Sequence, residues 1–302
     1  MAIRSGYVSI IGKPNVGKST LLNALLGQKL SITNPKPQTT RKKILGIYSD
    51  EEHQVVFADT PGILKPDYLL QEKMLEYITN AIKDADILLV IIDIAADKEG
   101  KQTLNDENVI SILDKVRRPK ILIINKVDLS IDEEVKHLIK KVEATGKFNK
   151  IIPVSALLSF NIQSVLNVIF ELIPEHPKYF PDDQITDENE RFFVSEIIRE
   201  KILEIYHEEI PYSVEVVIED FKERVGRKDF IQAAIFVERE SQKPIIIGKE
   251  GKAIKELGET ARKDIEAFLD RPVFLDLRVK VKAKWRSDPK SLKNFGYTTD
   301  ND

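Results

Sequence analysis

Along the first half of the chain, short unbroken apolar runs alternate with stretches in which apolar residues recur at helical spacing. The runs are Tyr7 to Ile11, Ile44 to Tyr48, Gln54 to Ala58, Ile87 to Ile92, Ile121 to Ile124 and Ile151 to Val154. Runs of this length without polar alternation predict strands buried on both faces. With helical stretches between most of them, they predict a mostly parallel six-stranded sheet of the α/β class. One link breaks the rule. Only Ser49-Asp50-Glu51-Glu52-His53 joins the second run to the third, too short for a crossover helix, so that pair is predicted antiparallel. A helix over Ile162 to Ile173 closes the unit. Pro174, Pro177 and Pro181 then punctuate a polar stretch, which sets the expected boundaries: a first domain over 1–175, a linker over 176–189 and a second domain over 190–302. The second domain reads as helix (Arg191 to Tyr206), two strands (Ser213 to Phe221, Phe230 to Glu238), helix (Gly251 to Leu269) and strand (Pro272 to Lys284), an α+β order.

Composition narrows the class without choosing a partner. A chain of 302 residues, 42% of them hydrophobic, can bury more than one core. Its longest apolar run, Ala85 to Ile92, falls far short of the roughly 20 residues that a membrane-spanning helix needs. Met1 to Gly6 carries no signal-peptide pattern. The absence of cysteine excludes disulfides and thiolate-zinc sites, which fits a cytoplasmic protein. A net charge of -3 is silent about partners, because opposite regional excesses can cancel inside it.

The chemistry gathers where the strands end. Gly12-Lys13-Pro14-Asn15-Val16-Gly17-Lys18-Ser19 fits G-x-x-x-x-G-K-[ST] between a strand and a helix, the setting of a phosphate-binding loop. Its glycines let backbone N–H groups turn inward on an anion, and the helix N-terminus favours the same charge. Lys18 is expected to reach the β- and γ-phosphates and Ser19 to hold Mg²⁺ with its hydroxyl; Val16 and Thr20 belong to the same nucleotide-binding set. Asp59-Thr60-Pro61-Gly62 follows the third strand, so that Asp59 can hold the Mg²⁺ shell and the Gly62 N–H can approach a γ-phosphate. Asn125-Lys126-Val127-Asp128 follows another strand. The Asp128 carboxylate can accept from the two donors on one edge of guanine, which adenine lacks, while the Lys126 stem lies along the base. Ser155-Ala156 follows the last strand of this half, where the Ala156 N–H is expected to meet the guanine carbonyl. Pro37 to Arg41 reads as a mobile lid with a threonine hydroxyl for Mg²⁺.

In the second half, Gly248-Lys249-Glu250-Gly251 precedes the long helix, where a G-x-x-G turn lets an RNA backbone approach closely and a helix N-terminus favours phosphate. Lys249 lies within the turn and Lys252 follows it. From Arg278 to Arg286 a period of two places Arg278, Lys280, Lys282, Lys284 and Arg286 on one face and Val279, Val281, Ala283 and Trp285 on the other. That predicts a basic stripe for RNA phosphates, with Lys280 and Lys282 at its centre, or an edge strand guarded by lysines. Leu292, Phe295 and Tyr297 in the tail could pack on the domain or stack on bases. His53, His137, His176 and His207 are expected at the surface.

In both halves these motifs resemble the Era family: a P-loop GTPase domain followed by a type II KH domain. The resemblance implies a GTP-dependent factor in small ribosomal subunit maturation that binds GTP, GDP and Mg²⁺. It also implies binding of the 3' end of the small-subunit ribosomal RNA, a peripheral association with the inner membrane, and no DNA partner. It implies that Thr40 is the lid's Mg²⁺ ligand and that Lys18, Thr40 and Gly62 serve catalysis. One position departs from Ras-like GTPases: Ile63 stands where a glutamine would orient the attacking water. Related GTPases with an apolar residue there use an asparagine at the place of Asn15 to help bind K⁺; the other reading of Asn15 is a polar residue capping its turn.

Overall fold

The computed structural model describes residues 2–298, which divide into two compact units. The first runs to Asp187 without residues 67–73, and the second takes those residues with everything from Glu188. In chain order the first unit contains β1 (Arg4–Gly12), α1 (Lys18–Leu26), β2 (Ile44–Ser49), β3 (His53–Asp59) and, from Met74 on, α2 (Leu69–Asp84). It continues through β4 (Ile87–Asp93), α3 (Lys101–Leu104), α4 (Glu107–Lys115), β5 (Lys120–Asn125), α5 (Asp132–Glu143), β6 (Lys150–Pro153) and α6 (Ile162–Leu172). The strands form one sheet in the order β2-β3-β1-β4-β5-β6, parallel except for β2 against β3, as the short link between them requires. Every residue of β4 is buried, because helices cover both faces of a parallel sheet. Each such Ile, Leu or Val contributes roughly 1.5–3 kcal/mol of burial, so a strand that is apolar up to its last residue, Asp93, is stable only at the centre. The sheet order reverses between β1 and β4, and the crevice beyond their carboxyl ends is where ligands of such sheets collect.

The stretch after α6 does not hang free. Residues up to 187 fold with the first unit, held by the fully buried Gln54 of β3. Its amide nitrogen donates to Phe180 O at 2.8 Å, and its amide oxygen accepts from the N–H groups of Tyr179 and Phe180 at 2.7 and 3.0 Å. Farther on, the Ile47 N–H of β2 donates to Ile185 O at 2.9 Å. Prolines remove the donors that a regular ladder would use, so a side-chain amide does the holding.

The second unit contains α7 (Glu190–Ile205), α8 (Ile210–Ser213), β7 (Glu215–Lys222), β8 (Asp229–Val237), α9 (Lys243–Ile247), α10 (Lys252–Leu269), β9 (Val273–Val281) and α11 (Pro289–Asn294). Its sheet order is β7-β8-β9, with β7 antiparallel and β9 parallel to β8. Leu257, Ala261, Ile265 and Leu269 make one stripe of α10 and meet Ile231, Ala233 and Ile235 of β8 and Val194, Ile198 and Ile202 of α7 in a single core. The two domains are therefore a mostly parallel α/β sheet domain and an α+β domain with the strand and helix order of a type II KH fold.

Three expectations are corrected here, on the last strand, the basic stripe and His53, and the alternatives for the tail are resolved. The last strand ends at Val281, not Lys284: Lys284 turns into the left-handed region at φ 52 and a short helical turn begins at Trp285. Ala283 is exposed, and Trp285 is buried because its indole N–H reaches Ser213 O at 2.8 Å. The basic stripe is correspondingly broken. Lys280 meets Glu219 at 2.5 Å and Arg278 meets Asp276 at 3.0 Å, while Lys282 and Lys284 lie past the strand. His53 is half-buried, stacked on Phe170 at 4.1 Å with Nδ1 3.1 Å from Asp50. In the tail, Leu292 and Tyr297 are buried and the Phe295 ring packs 5.4 Å from Trp285, so these residues complete the core; residues 299–302 lie outside the described ones. Among the described residues, no helix is long and apolar enough to cross a membrane.

Candidate functional site

Two glycines shape the loop after β1 for different reasons. A Cβ on Gly12 would sit 2.9 Å from Ile91 O, so the loop can lie against β4 only without one. Gly17 has φ 97, and its Cβ would fall 2.3 Å from the Asn125 amide nitrogen. Between them Asn15 adopts φ 64 and is exposed. Lys18 opens α1, but its ammonium folds back into the loop, donating to Lys13 O at 2.8 Å and Gly12 O at 3.3 Å. Burial lowers it to about 8, against the pull of Asp59.

The three expected metal ligands come together. Ser19 Oγ donates to Asp59 Oδ2 at 2.7 Å and lies 2.9 Å from Thr40 Oγ1, which is itself 3.4 Å from the same carboxylate oxygen. Asp59 is fully buried; burial raises its carboxyl above the ordinary range, opposed by the Ser19 hydrogen bond and the Lys18 charge. Its other oxygen, Oδ1, is buried without a hydrogen bond to any described residue. Hard oxygen donors converging on one point, with a carboxylate oxygen left over, fit a small divalent cation such as Mg²⁺.

Gly62 touches the phosphate-binding loop. A Cβ there would lie 2.7 Å from Pro14 N, and the next residue ties the two loops together: the Ile63 N–H donates to Gly12 O at 3.0 Å. The Ile63 side chain points the other way, into the core with Ile11 and Ile78. A cavity of about 360 Å³ lies between these loops, lined among others by Asn15, Lys18, Thr20, Thr40, Gly62 and Lys126.

Asn125, buried at the end of β5, staples two loops: its Nδ2 donates to Val16 O at 2.8 Å and its Oδ1 accepts from the Ala156 N–H at 3.0 Å. The Ala156 N–H is thus engaged by Asn125, not presented outward as expected. Ser155 is buried and its Oγ accepts from the Leu158 N–H at 3.2 Å, shaping the same turn. Lys126 spans the crevice from Asp93 Oδ2 (2.6 Å) to Asn15 O (3.0 Å), and Asp128 stands exposed in the turn that follows. Asp93 was not among the expected residues. Its signal was one carboxylate ending an otherwise apolar strand.

In the second unit the two glycines of Gly248-Lys249-Glu250-Gly251 differ. A Cβ on Gly248 would lie 2.6 Å from that of Ala253, so its own helix demands the glycine. Gly251 has φ 77 and faces open space. Lys249 and Lys252 are exposed beside it, the latter 3.5 Å from Glu250.

Comparison with known proteins follows the same division. Residues 7–126 match the family model of a 50S ribosome-binding GTPase, and residues 209–286 match that of a KH domain. The chain is 46% identical to GTPase Era of Geotalea uraniireducens over 97% of its own length and 98% of that protein. It is 44% identical to GTPase Era of Alkaliphilus oremlandii, covering 98% and 100%. A crystal structure of Era in complex with MgGDPNP and nucleotides 1506–1542 of 16S ribosomal RNA superposes with a TM-score of 0.91 at 39% identity, covering 98% of this chain and all of that one. A variant of Aquifex aeolicus Era bound to GDP and AlF4⁻ gives 0.90 at 39% identity over the same shares.

Proposed function

The chain belongs to the GTPase Era family, and from that premise we propose that it is a switch in small ribosomal subunit assembly. It binds and hydrolyses GTP in residues 1–175 and holds the 3' end of the small-subunit ribosomal RNA through a KH domain over 190–302, joined by 176–189. The observation that carries this reading is the meeting of Ser19, Thr40 and Asp59 beside the glycine-built loop that buries Lys18. Ser19 and Thr40 would hold Mg²⁺ through their hydroxyls and Asp59 through its shell; bound there, the ion neutralises charge on the phosphate oxygens. Lys18 exchanges the carbonyls of Gly12 and Lys13 for phosphate oxygens, and the N–H groups of Val16, Gly17, Thr20 and Gly62 face the same anion. Asp128 accepts from guanine, Lys126 lies along it, and Asn125 with Ser155 holds the walls. Ala156, its N–H held by Asn125 Oδ1, sits in the turn that would face the guanine carbonyl.

Ile63 faces the core, so it does not orient water. Asn15, exposed beside the cavity, is placed to help bind K⁺ there; the alternative role is capping its own turn. Gly251, Lys249 and Lys252 meet the RNA backbone; Gly248 shapes the turn, and Lys280 and Lys282 add phosphate contacts. The protein acts in the cytoplasm, with a peripheral association at the inner membrane.

The pH dependence of binding follows from Lys18. Its ammonium sits at about 8 in the folded chain and 10.5 in a model peptide, so burial destabilises the fold fully below pH 8, and the penalty is relieved as pH rises from 8 to 10.5. Phosphates favour the protonated form, so binding GTP takes up a proton above pH 8. Affinity is expected to fall by up to about tenfold per pH unit beyond that point. Calorimetry at pH 8.5 in buffers of different ionisation heat reads the proton directly, and no uptake would refute the assignment.

The competing reading is an RNA-binding protein whose nucleotide is structural. We expect the 1506–1542 segment of 16S ribosomal RNA to bind with different affinity in the GTP-analogue and GDP states, and by linkage to shift the relative affinity of the two nucleotides by the same factor. Gly251→Asp, placing a carboxylate in open space beside the RNA backbone, should abolish RNA binding and spare GTP binding. RNA affinity identical in the two states favours the competing reading.

A further inference from the structure

On the far side of Ile63 from the nucleotide loop lies a trough of about 640 Å³ between α2 and α4. Each helix gives it one stripe: Leu75, Ile78 and Ile82 from α2, and Asn108, Ser111, Ile112 and Lys115 from α4, at the i, i+3, i+4, i+7 spacing of a single helix face. The α2 stripe from Leu75 to Lys83 spans eight helical rises, about 12 Å at ~1.5 Å per residue, or roughly two turns. Its floor is apolar and one end is strongly cationic. Lys83, Lys115, Arg117 and Arg118 converge there on a chain whose net charge is -3. Arg118 is committed to capping α2, donating to Lys83 O at 2.6 Å. Lys83, Lys115 and Arg117 are exposed and meet no carboxylate among the described residues; the neighbouring Asp114 is taken by Lys147 at 3.2 Å.

We propose that this trough docks an acidic amphipathic helix of another protein, and that its occupancy is coupled to the nucleotide. Two parallel stripes with an apolar floor fit the side chains of a third helix at i, i+3, i+4 and i+7. The unpaired cations supply the complementary charge and the on-rate. Ile63 is the link: its side chain lines the trough while its N–H holds Gly12 O, one residue from Gly62. A helix seated on Ile63 shifts the loop that contacts the phosphate-binding turn. This coupling rests on the nucleotide reading above; the docking does not.

The test uses the full chain and a fluorescent synthetic helix with Leu at i, i+3, i+4 and i+7 and Glu on the flanking positions, against a counterpart with Lys for Glu. The acidic helix should bind at least tenfold more tightly than the basic one. Lys115→Glu with Arg117→Glu should invert that preference and leave GTP affinity unchanged. Ser111→Trp, which fills the trough, should remove binding of the acidic helix. Affinity for that helix should differ severalfold between the GDP and GTP-analogue states, with binding of both nucleotides measured directly on the same sample. Equal binding of the two helices, or indifference to charge reversal, overturns the docking. So does binding to phosphatidylglycerol vesicles with the same charge dependence in place of the peptide. Equal affinity in two states that demonstrably hold their nucleotides overturns the coupling.

Discussion

A Gly17→Ala chain is expected to lose GTP binding by a thousandfold or more, about 4 kcal/mol, while remaining folded. A residue other than glycine at φ 97 is strained by roughly 1–2 kcal/mol, and the new methyl would sit 2.3 Å from the Asn125 amide nitrogen. Asn125 must then give way. It cannot do so without surrendering Val16 O and the Ala156 N–H, two buried groups that each cost roughly 1–3 kcal/mol when left unpaired. The sum stays within a typical stability of roughly 5–15 kcal/mol, so the chain folds, but the phosphate loop and the base-side wall are displaced together. A titration with a fluorescent GTP analogue alongside thermal melting checks both halves. Gly27→Ala is the control: φ 67 strains it similarly, nothing lies within 4 Å of its Cβ, and it should lower stability without touching GTP. Unaltered GTP affinity in Gly17→Ala would mean that the loop does not hold the phosphates.

The second large effect is one of specificity. Asp128 is exposed in the middle of the turn Val127–Leu129, and guanine offers its carboxylate two donors on one edge. Asp128→Asn replaces an acceptor pair by one acceptor and one donor. The amide then opposes a guanine donor, and GTP affinity should drop by about a hundredfold or more, roughly 3 kcal/mol. Xanthosine triphosphate carries a carbonyl where guanine carries its amine, so the same variant should prefer it, inverting the selectivity of the native chain. Competition between the two nucleotides on both proteins measures this without any assumption about turnover. If GTP still wins on the variant, the base is read elsewhere.

What was legible in the chain follows from which forces act locally. The strands of the first unit could be read because a parallel sheet covered on both faces admits no polar alternation, so β4 and β5 appear as unbroken apolar runs. Ser19 and Asp59 could be read because one closes the glycine motif that follows β1 and the other ends β3, whereas Thr40, in the loop before β2, was assigned only through the family resemblance. The contact of Ala156 with Asn125 could not, since it joins a backbone N–H to a side-chain oxygen brought together only by tertiary packing, 31 residues apart. The same holds for Asp93, which acquires its meaning only when Lys126 crosses the crevice to it. In the last strand the period of two ran on in the sequence beyond Val281, and the backbone stopped obeying it because Lys284 turns into the left-handed region. The pairing of Lys280 with Glu219 was invisible for a related reason: the partner comes from β7, two strands away across the sheet.

The grip of Gln54 on the proline-punctuated stretch bears on where this protein can be cut. β2 is the outer strand of its sheet, and the Ile47 N–H is capped by Ile185 O, so residues beyond α6 seal an open row of backbone donors and acceptors. A fragment ending at 175 would keep every nucleotide-facing residue and yet expose that row, and the Gln54 amide would lose all its partners in the stretch, keeping only its bond to Ser49 Oγ. Such an edge recruits strands from neighbouring molecules. A fragment ending at 187 carries its own seal. The polar stretch, which reads as a spacer, therefore acts as an aggregation guard, and a protease that nicks it near Tyr179 would turn a monodisperse GTPase unit into one that self-associates without altering a single residue of its site.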